Sequence, residues 1–384
     1  MELSPSQIEE VIQEIKTNQI RIDRQKVLGR GREGKVYEAA TRKNLQIAVK
    51  KILIDEDMLL KLQNEARLAE SLTLLSHAKV SRGFQTLWFS STPVFACETG
   101  HEDPAKRVKT YEVLIYQERA SGDLLHFWKH EVPLLRTPDD FDLTVLSLLF
   151  QMYQSILTMT YYLDIVHNDL YPRNILYYET KKIALQYAIE IPPFLCAEPM
   201  QFTWPIFMAT KSRPTSGFVF KMIDLGFASC SLAPDCISHD NLVAENFHSV
   251  DLHDKKDFSE HHVTEFRNIE PYCRDIISFT YNLSELCHAT HFKTTLTAYI
   301  DQLLDMLLFG YNEDTGDFLD QNSIEQDISL ANIPPSITDS VELYTFIVLT
   351  LQPKILAHVC PAWGRLSQKY YEEKLQRPNH IILF

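Results

Sequence analysis

Apolar residues recur along this chain in two periods, and the change from one to the other marks its organisation. Near the start, Ile8, Val11, Ile12 and Ile15 fall on one side of a helix, with Ser6 and Glu9 at capping-box spacing. A short amphipathic helix within residues 1–20 is therefore expected to dock on the domain after it. From Val27 the pattern turns strand-like: two runs flank a glycine-rich turn, Gln46–Lys51 forms another run, and Tyr111–Arg119 a further one. Among these, Asp57–Leu75 reads as a helix with Leu59, Leu62, Ala66, Ala69 and Leu72 along one side, and Ser90–Val108, rich in small and polar residues, as a loop. Past residue 120 helical spacing dominates, interrupted by strand-like Ile175–Tyr178 and Phe218–Asp224. The last hundred residues are helical in character, broken at Pro334, Pro335, Pro353 and Pro361.

One helix imitates a membrane span. Leu143–Leu163 carries no formal charge and is long enough to cross a bilayer. It also contains Thr144, Ser147, Gln151, Gln154, Ser155, Thr158 and Thr160, and its Leu146, Leu149, Phe150, Tyr153 and Leu157 follow helical spacing. A buried helix of a large globular part fits better, so no membrane span is expected.

Composition narrows the function classes. With 384 residues, 45% of them hydrophobic, the chain has material for two lobes. The net charge of -14 argues against a nucleic-acid partner, because no clustered basic surface is evident. Seven scattered cysteines without a C-x-x-C suggest neither a disulfide framework nor a zinc site, and point to a reducing compartment. The first residues lack the basic start and apolar run of a secretory signal. The expected location is cytoplasmic, which for a viral or secreted effector protein would be the host cytoplasm.

The chemistry concentrates in five stretches. His167-Asn-Asp169-Leu-Tyr-Pro-Arg173-Asn174 is an H-x-D-x-x-x-x-N loop. An Asp and an Asn in a turn most often bond to their own backbone, yet a carboxylate can accept a hydroxyl proton while an amide oxygen nearby holds a metal. Gly29-x-Gly31-x-x-Gly34-x-Val36 is a G-x-G-x-x-G-x-V turn that continues as a strand, unlike the dinucleotide fingerprint, which continues as a helix. Ala48-Val-Lys50 ends the next strand run, and Glu65 lies next to the apolar face of the following helix, with Glu56 and Glu70 as competing acids. Asp224-Leu-Gly226 closes a hydrophobic strand, and a helix resuming at Tyr272 carries Asp275 in a D-x-x-S-F run.

Taken in this order, the five stretches resemble the protein kinase superfamily, over roughly residues 21–290. The resemblance implies an α+β bilobal protein-kinase fold, with a β-rich small lobe at 21–119 and a mainly helical large lobe at 120–384. It implies an ATP- and magnesium-dependent protein kinase. Asp169 would act on the acceptor hydroxyl, Lys50 on nucleotide phosphates with Glu65 as its partner, and Asn174 and Asp224 on magnesium. Gly29, Gly31, Gly34, Val36 and Ala48 would line the nucleotide, Tyr116 would guard the adenine pocket, and Gln117 to Arg119 would offer backbone groups to the base. Asp275 would anchor the catalytic loop. Arg173 stands where tyrosine kinases often carry an arginine, whereas Pro172 and base rates favour serine/threonine protein substrates.

Departures from the family pattern carry their own expectations. Asn168 replaces the arginine of H-R-D that pairs with an activation-segment phosphate, Leu225 replaces the usual phenylalanine, and no A-P-E comes after Asp224, Ile269-Glu-Pro being at best a relic. The enzyme is expected to be active as synthesised, with residues 227–271 ordered by local packing. The stretch from Asn174 to Asp224 is several times the usual length, and 180–217 reads as an insertion that either recruits a partner or packs on itself. Two alternatives remain: a small-molecule kinase resembling choline kinase or aminoglycoside phosphotransferase, and a pseudokinase scaffold.

Overall fold

Ile47 and Val49 are fully buried and point to one side of a strand, while Ala48, Lys50 and Ile52 point to the other. This strand, β3 (Gln46–Asp55), is central in an antiparallel sheet with β1 (Arg21–Arg30), β2 (Gly34–Ala40), β4 (Leu87–Ser90), β5 (Val94–Gly100) and β6 (Arg107–Glu118). The order is β1-β2-β3-β6-β4, with β5 also paired to β6. One face is covered by α1 (Pro5–Lys16), whose Val11 and Ile15 pack with Ala39, Ile47, Val49 and Tyr116. The other carries α2 (Leu59–His77), where Leu62 meets Ile52, Ile54, Val113 and Ile115. Each such aliphatic side chain contributes about 1.5–3 kcal/mol against its exposed state. Polar contacts fix α1 further: Glu14 accepts from the Arg42 backbone at 2.8 Å and Glu10 pairs with Lys43 at 2.7 Å.

This computed structural model describes residues 5–30, 34–77, 81–91, 93–100, 107–191, 200–230, 270–309 and 337–376. The chain divides into two compact units, residues 1–121 with 223–226, and residues 122–222 with 227–384. The protein is thus α+β, with a β-rich N-terminal unit and a mainly helical C-terminal unit. The division falls two residues beyond the expected 119/120 boundary. Ser90–Val108, expected as a loop, contains β5 and the start of β6. Helix α1 begins at Pro5, so Ser6 is already inside it.

In the C-terminal unit, the helix that passes for a membrane span is α4 (Pro138–Leu163), and nearly every residue from Asp140 to Thr160 is buried. Thr137 caps it, accepting from the Asp140 N–H at 3.1 Å. Around it lie α3 (Leu124–His130), α5 (Pro271–His288), α6 (Thr295–Phe309), α7 (Ser340–Thr350), α8 (Pro353–Val359) and α9 (Pro361–Gln376). The polar groups that argued against a lipid-facing helix have partners inside the unit. The Tyr153 hydroxyl lies 2.7 Å from Thr280 Oγ1, and Gln151 donates to Phe218 O and accepts from Phe220 N.

Short strands complete the unit: β7 (Gly122–Asp123), β8 (Ile165–Val166), β9 (Ile175–Thr180), β10 (Ala184–Ile191), β11 (Met200–Phe207), β12 (Gly217–Met222) and β13 (Ser229–Cys230). They pair as β12-β9-β7, β13-β8 and β10-β11. The insertion is the β10–β11 hairpin, set between β9 and β12. Its described core packs inward. Trp204 is fully buried and donates to Leu351 O at 2.7 Å, its ring lies 5.8 Å from Phe150, and Trp363 donates to Pro205 O at 2.8 Å. These side chains are therefore unavailable to a partner; residues 192–199 of the same insertion lie outside those described.

Candidate active site

In the N-terminal unit the strand registers draw one row across the sheet. Gly29 pairs with Val36, Val36 with Lys50, and Lys50 with Ile115. The next row joins Glu38, Ala48 and Gln117. Paired residues share a face, and Val36, Ala48 and Lys50 are two apart, so all lie on the same side of the sheet. There Lys50 Nζ is 3.6 Å from Glu65 Oε1 of α2 and 4.0 Å from Asp224 Oδ2. Of the three acids open to Lys50, the structure thus selects Glu65; Glu56 is exposed beside Lys109 and Glu70 is exposed.

Asp224 comes after β12 at a φ of 66°, a left-handed conformation that costs a non-glycine residue about 1–3 kcal/mol and persists only where the surroundings hold it. A Cβ on Gly226 would lie 3.3 Å from Asp224 Oδ1 and 3.7 Å from Glu65 Oε2, so glycine there leaves the carboxylates uncrowded. The cluster has one cation and two carboxylates, and the Asp224 side chain is 40% exposed. A surplus negative charge on an accessible carboxylate suits a divalent cation.

Tyr116 requires a correction. It pairs with Val49, and both face α1, opposite Lys50. The residues that β6 presents on the Lys50 face are Ile115 and Gln117, so the expected guard of an adenine pocket is displaced by one position. One neighbouring backbone group is engaged, Gln85 Nε2 donating to Glu118 O at 3.0 Å, while the Arg119 side chain forms an ion pair with Glu38 at 2.9 Å. Gly31 lies outside the described residues. Gly34 is enforced by packing, because a Cβ there would fall 2.2 Å from Lys51 O. Among the described residues nothing lies within 4 Å of such an atom at Gly29.

In the C-terminal unit the H-x-D-x-x-x-x-N loop runs from β8 through a turn at Pro172–Asn174 into β9. Asn174 Nδ2 donates to Asp169 O at 2.8 Å and to Asp169 Oδ2 at 2.9 Å. With the amide nitrogen so used, the amide oxygen is the group left to serve a hard cation. Arg173 is exposed on the turn. The loop hangs on Asp275, which accepts from the backbone N–H of His167 at 2.6 Å and of Asn168 at 2.9 Å. Burial pushes the Asp275 carboxyl up, opposed by His167, the two N–H groups and Arg274. The expected anchoring role of Asp275 has its geometry here.

Two further residues complete the loop: Ser278, the serine of the D-x-x-S-F run, and Arg274, which sequence reasoning did not single out. Ser278 donates to Leu170 O at 2.8 Å, and Arg274 reaches Asn168 Oδ1 at 3.2 Å. Both lie on the helix of Asp275, and their spacing from it was the available signal. Residues 231–269, including Ile269, lie outside the described residues, so the expected local ordering of 227–271 falls mostly outside them. Among the described residues no group of three His, Cys, Asp or Glu side chains could hold a metal by itself. A magnesium ion that arrives with nucleotide phosphates needs only one or two protein oxygens.

No protein-family model matches this chain, and no curated protein matches it. Among solved structures, the crystal structure of a kinase domain matches with 13% sequence identity and a TM-score of 0.38, covering 76% of this chain and 70% of that one. None of these results assigns a family.

Proposed function

We propose that the protein is an ATP- and magnesium-dependent phosphotransferase that moves the γ-phosphoryl group to a protein hydroxyl, of serine or threonine. The observation that carries this reading is Lys50 held beside Glu65 and Asp224 on one face of the sheet. That lysine is oriented for anionic oxygens, and the exposed carboxylate next to it suits the accompanying cation. Asp169 supplies the acceptor end. Its carboxylate, held by Asn174, takes the proton of the attacking hydroxyl, while Asp275 keeps the loop backbone from shifting. Asn174 and Asp224 would hold the magnesium, whose role is to neutralise charge on the nucleotide phosphates. Little covalent chemistry falls to the protein, so positioning and charge provide the rate.

The intact glycine turn and the Asp275 helix favour a protein acceptor over a small molecule. Purified protein with labelled ATP, magnesium, mixed protein acceptors and small amino alcohols tests the reading. Label on protein serine or threonine is expected. Label on small molecules alone overturns the protein-kinase assignment.

A further inference from the structure

Asn168 has a φ of 61°, a region that asparagine tolerates better than most residues. Its amide nitrogen donates towards Val166 O at 3.2 Å, Phe227 O at 3.1 Å and Ser229 Oγ at 2.9 Å. Its oxygen accepts from Arg274 at 3.2 Å. The two ends of an amide have nearly the same shape, so their orientation is set by their partners. A guanidinium can only donate, so Arg274 fixes the oxygen towards α5 and the nitrogen towards Phe227 and Ser229. Arg274 is itself buried and adjoins Asp275, which holds the Asn168 backbone N–H. One helix therefore fixes both the main chain and the side chain of residue 168. The arginine of the common H-R-D pattern offers no acceptor for Arg274 and would set two cations against each other. The Asn168 and Arg274 side chains are complementary.

We propose that Arg274 is a positioning residue: through the Asn168 amide it locks the segment after Asp224 onto the loop that carries Asp169. A neutral side chain thus does here what a phosphate does in switched kinases. The catalytic consequence rests on the phosphotransferase reading above; the lock itself does not.

The test uses the full chain with Arg274→Met, Asn168→Gly, which removes the amide without backbone strain, and the double variant. Amide hydrogen exchange at residues 227–230 should accelerate about tenfold or more in each single variant. The value of kcat should fall about tenfold or more with the KM for ATP nearly unchanged, and the double variant should be no worse than the poorer single one. Unchanged exchange in folded single variants, or losses that multiply in the double variant, overturn the proposal. If Arg274→Met fails to fold, Asn168→Asp decides. It keeps the acceptor for Arg274 but turns an oxygen towards Phe227 O, so exchange at 227–230 must again accelerate. If the wild type transfers no phosphate at all, the phosphotransferase reading fails alone, and the exchange result still judges the lock.

Discussion

Asp142 lies in the second turn of α4, buried, with its carboxylate 2.6 Å from the Thr294 hydroxyl that donates to it. Burial pushes its pKa from 3.8 up to about 6, with the Thr294 bond acting downwards and the Asp139 charge upwards. A carboxyl raised in the folded state favours the protonated form there. Ionised Asp142 therefore weakens folding above its folded pKa, and the penalty disappears as pH falls towards the unfolded value. The displacement corresponds to about 3 kcal/mol if undiminished, and residual solvent screening reduces it to about 1–2 kcal/mol. Asp142→Asn keeps an oxygen for Thr294 and removes the charge. Urea unfolding of both proteins should find the variant more stable by about 1–2 kcal/mol near pH 7.5 and indistinguishable near pH 4. A variant that is no more stable at pH 7.5, or whose advantage is the same at both pH values, refutes the reasoning.

Three further outcomes are expected. Gly34→Ala should destabilise the protein by about 1–3 kcal/mol in the same assay, because its Cβ collides with Lys51 O and the β2–β3 pairing must give. Gly29→Ala meets no described atom within 4 Å, so stability should stay within about 0.5 kcal/mol while the KM for ATP rises. Phosphatase treatment should leave turnover nearly unchanged, because Asn168 engages Phe227, Ser229 and Arg274 rather than a phosphate; an about tenfold loss would reveal another phosphate reader.

The α+β architecture, the Lys50–Glu65 pair and the Asp169–Asn174 contact were legible because each arises from local order: a glycine turn, a strand, a helix, a loop. Apolar periodicity even indicated which glutamate of α2 lies beside the packed face. Parity across strands was not legible. Alternation says that Tyr116 and Ile115 face opposite ways, but only the pairing of Val49 with Tyr116 says which of them accompanies Lys50. The choice between a partner surface and self-packing for the insertion was not legible for a similar reason. Trp204 and Pro205 look like an exposed apolar patch until α7 and α9 are seen to lie nearby, more than a hundred residues further along the chain. Arg274 escaped notice because an arginine in a helix ordinarily faces solvent, and its partner is a single amide oxygen on a distant loop.

In the proposed function Lys50 and Asp224 serve a nucleotide and its metal rather than the fold. Phosphate transfer from labelled ATP to protein acceptors, measured for the wild type, Lys50→Met and Asp224→Asn, tests it most directly. Both variants should remain folded, with a cooperative melting transition, and lose transfer by about a hundredfold or more. Wild-type turnover in either folded variant would contradict the account.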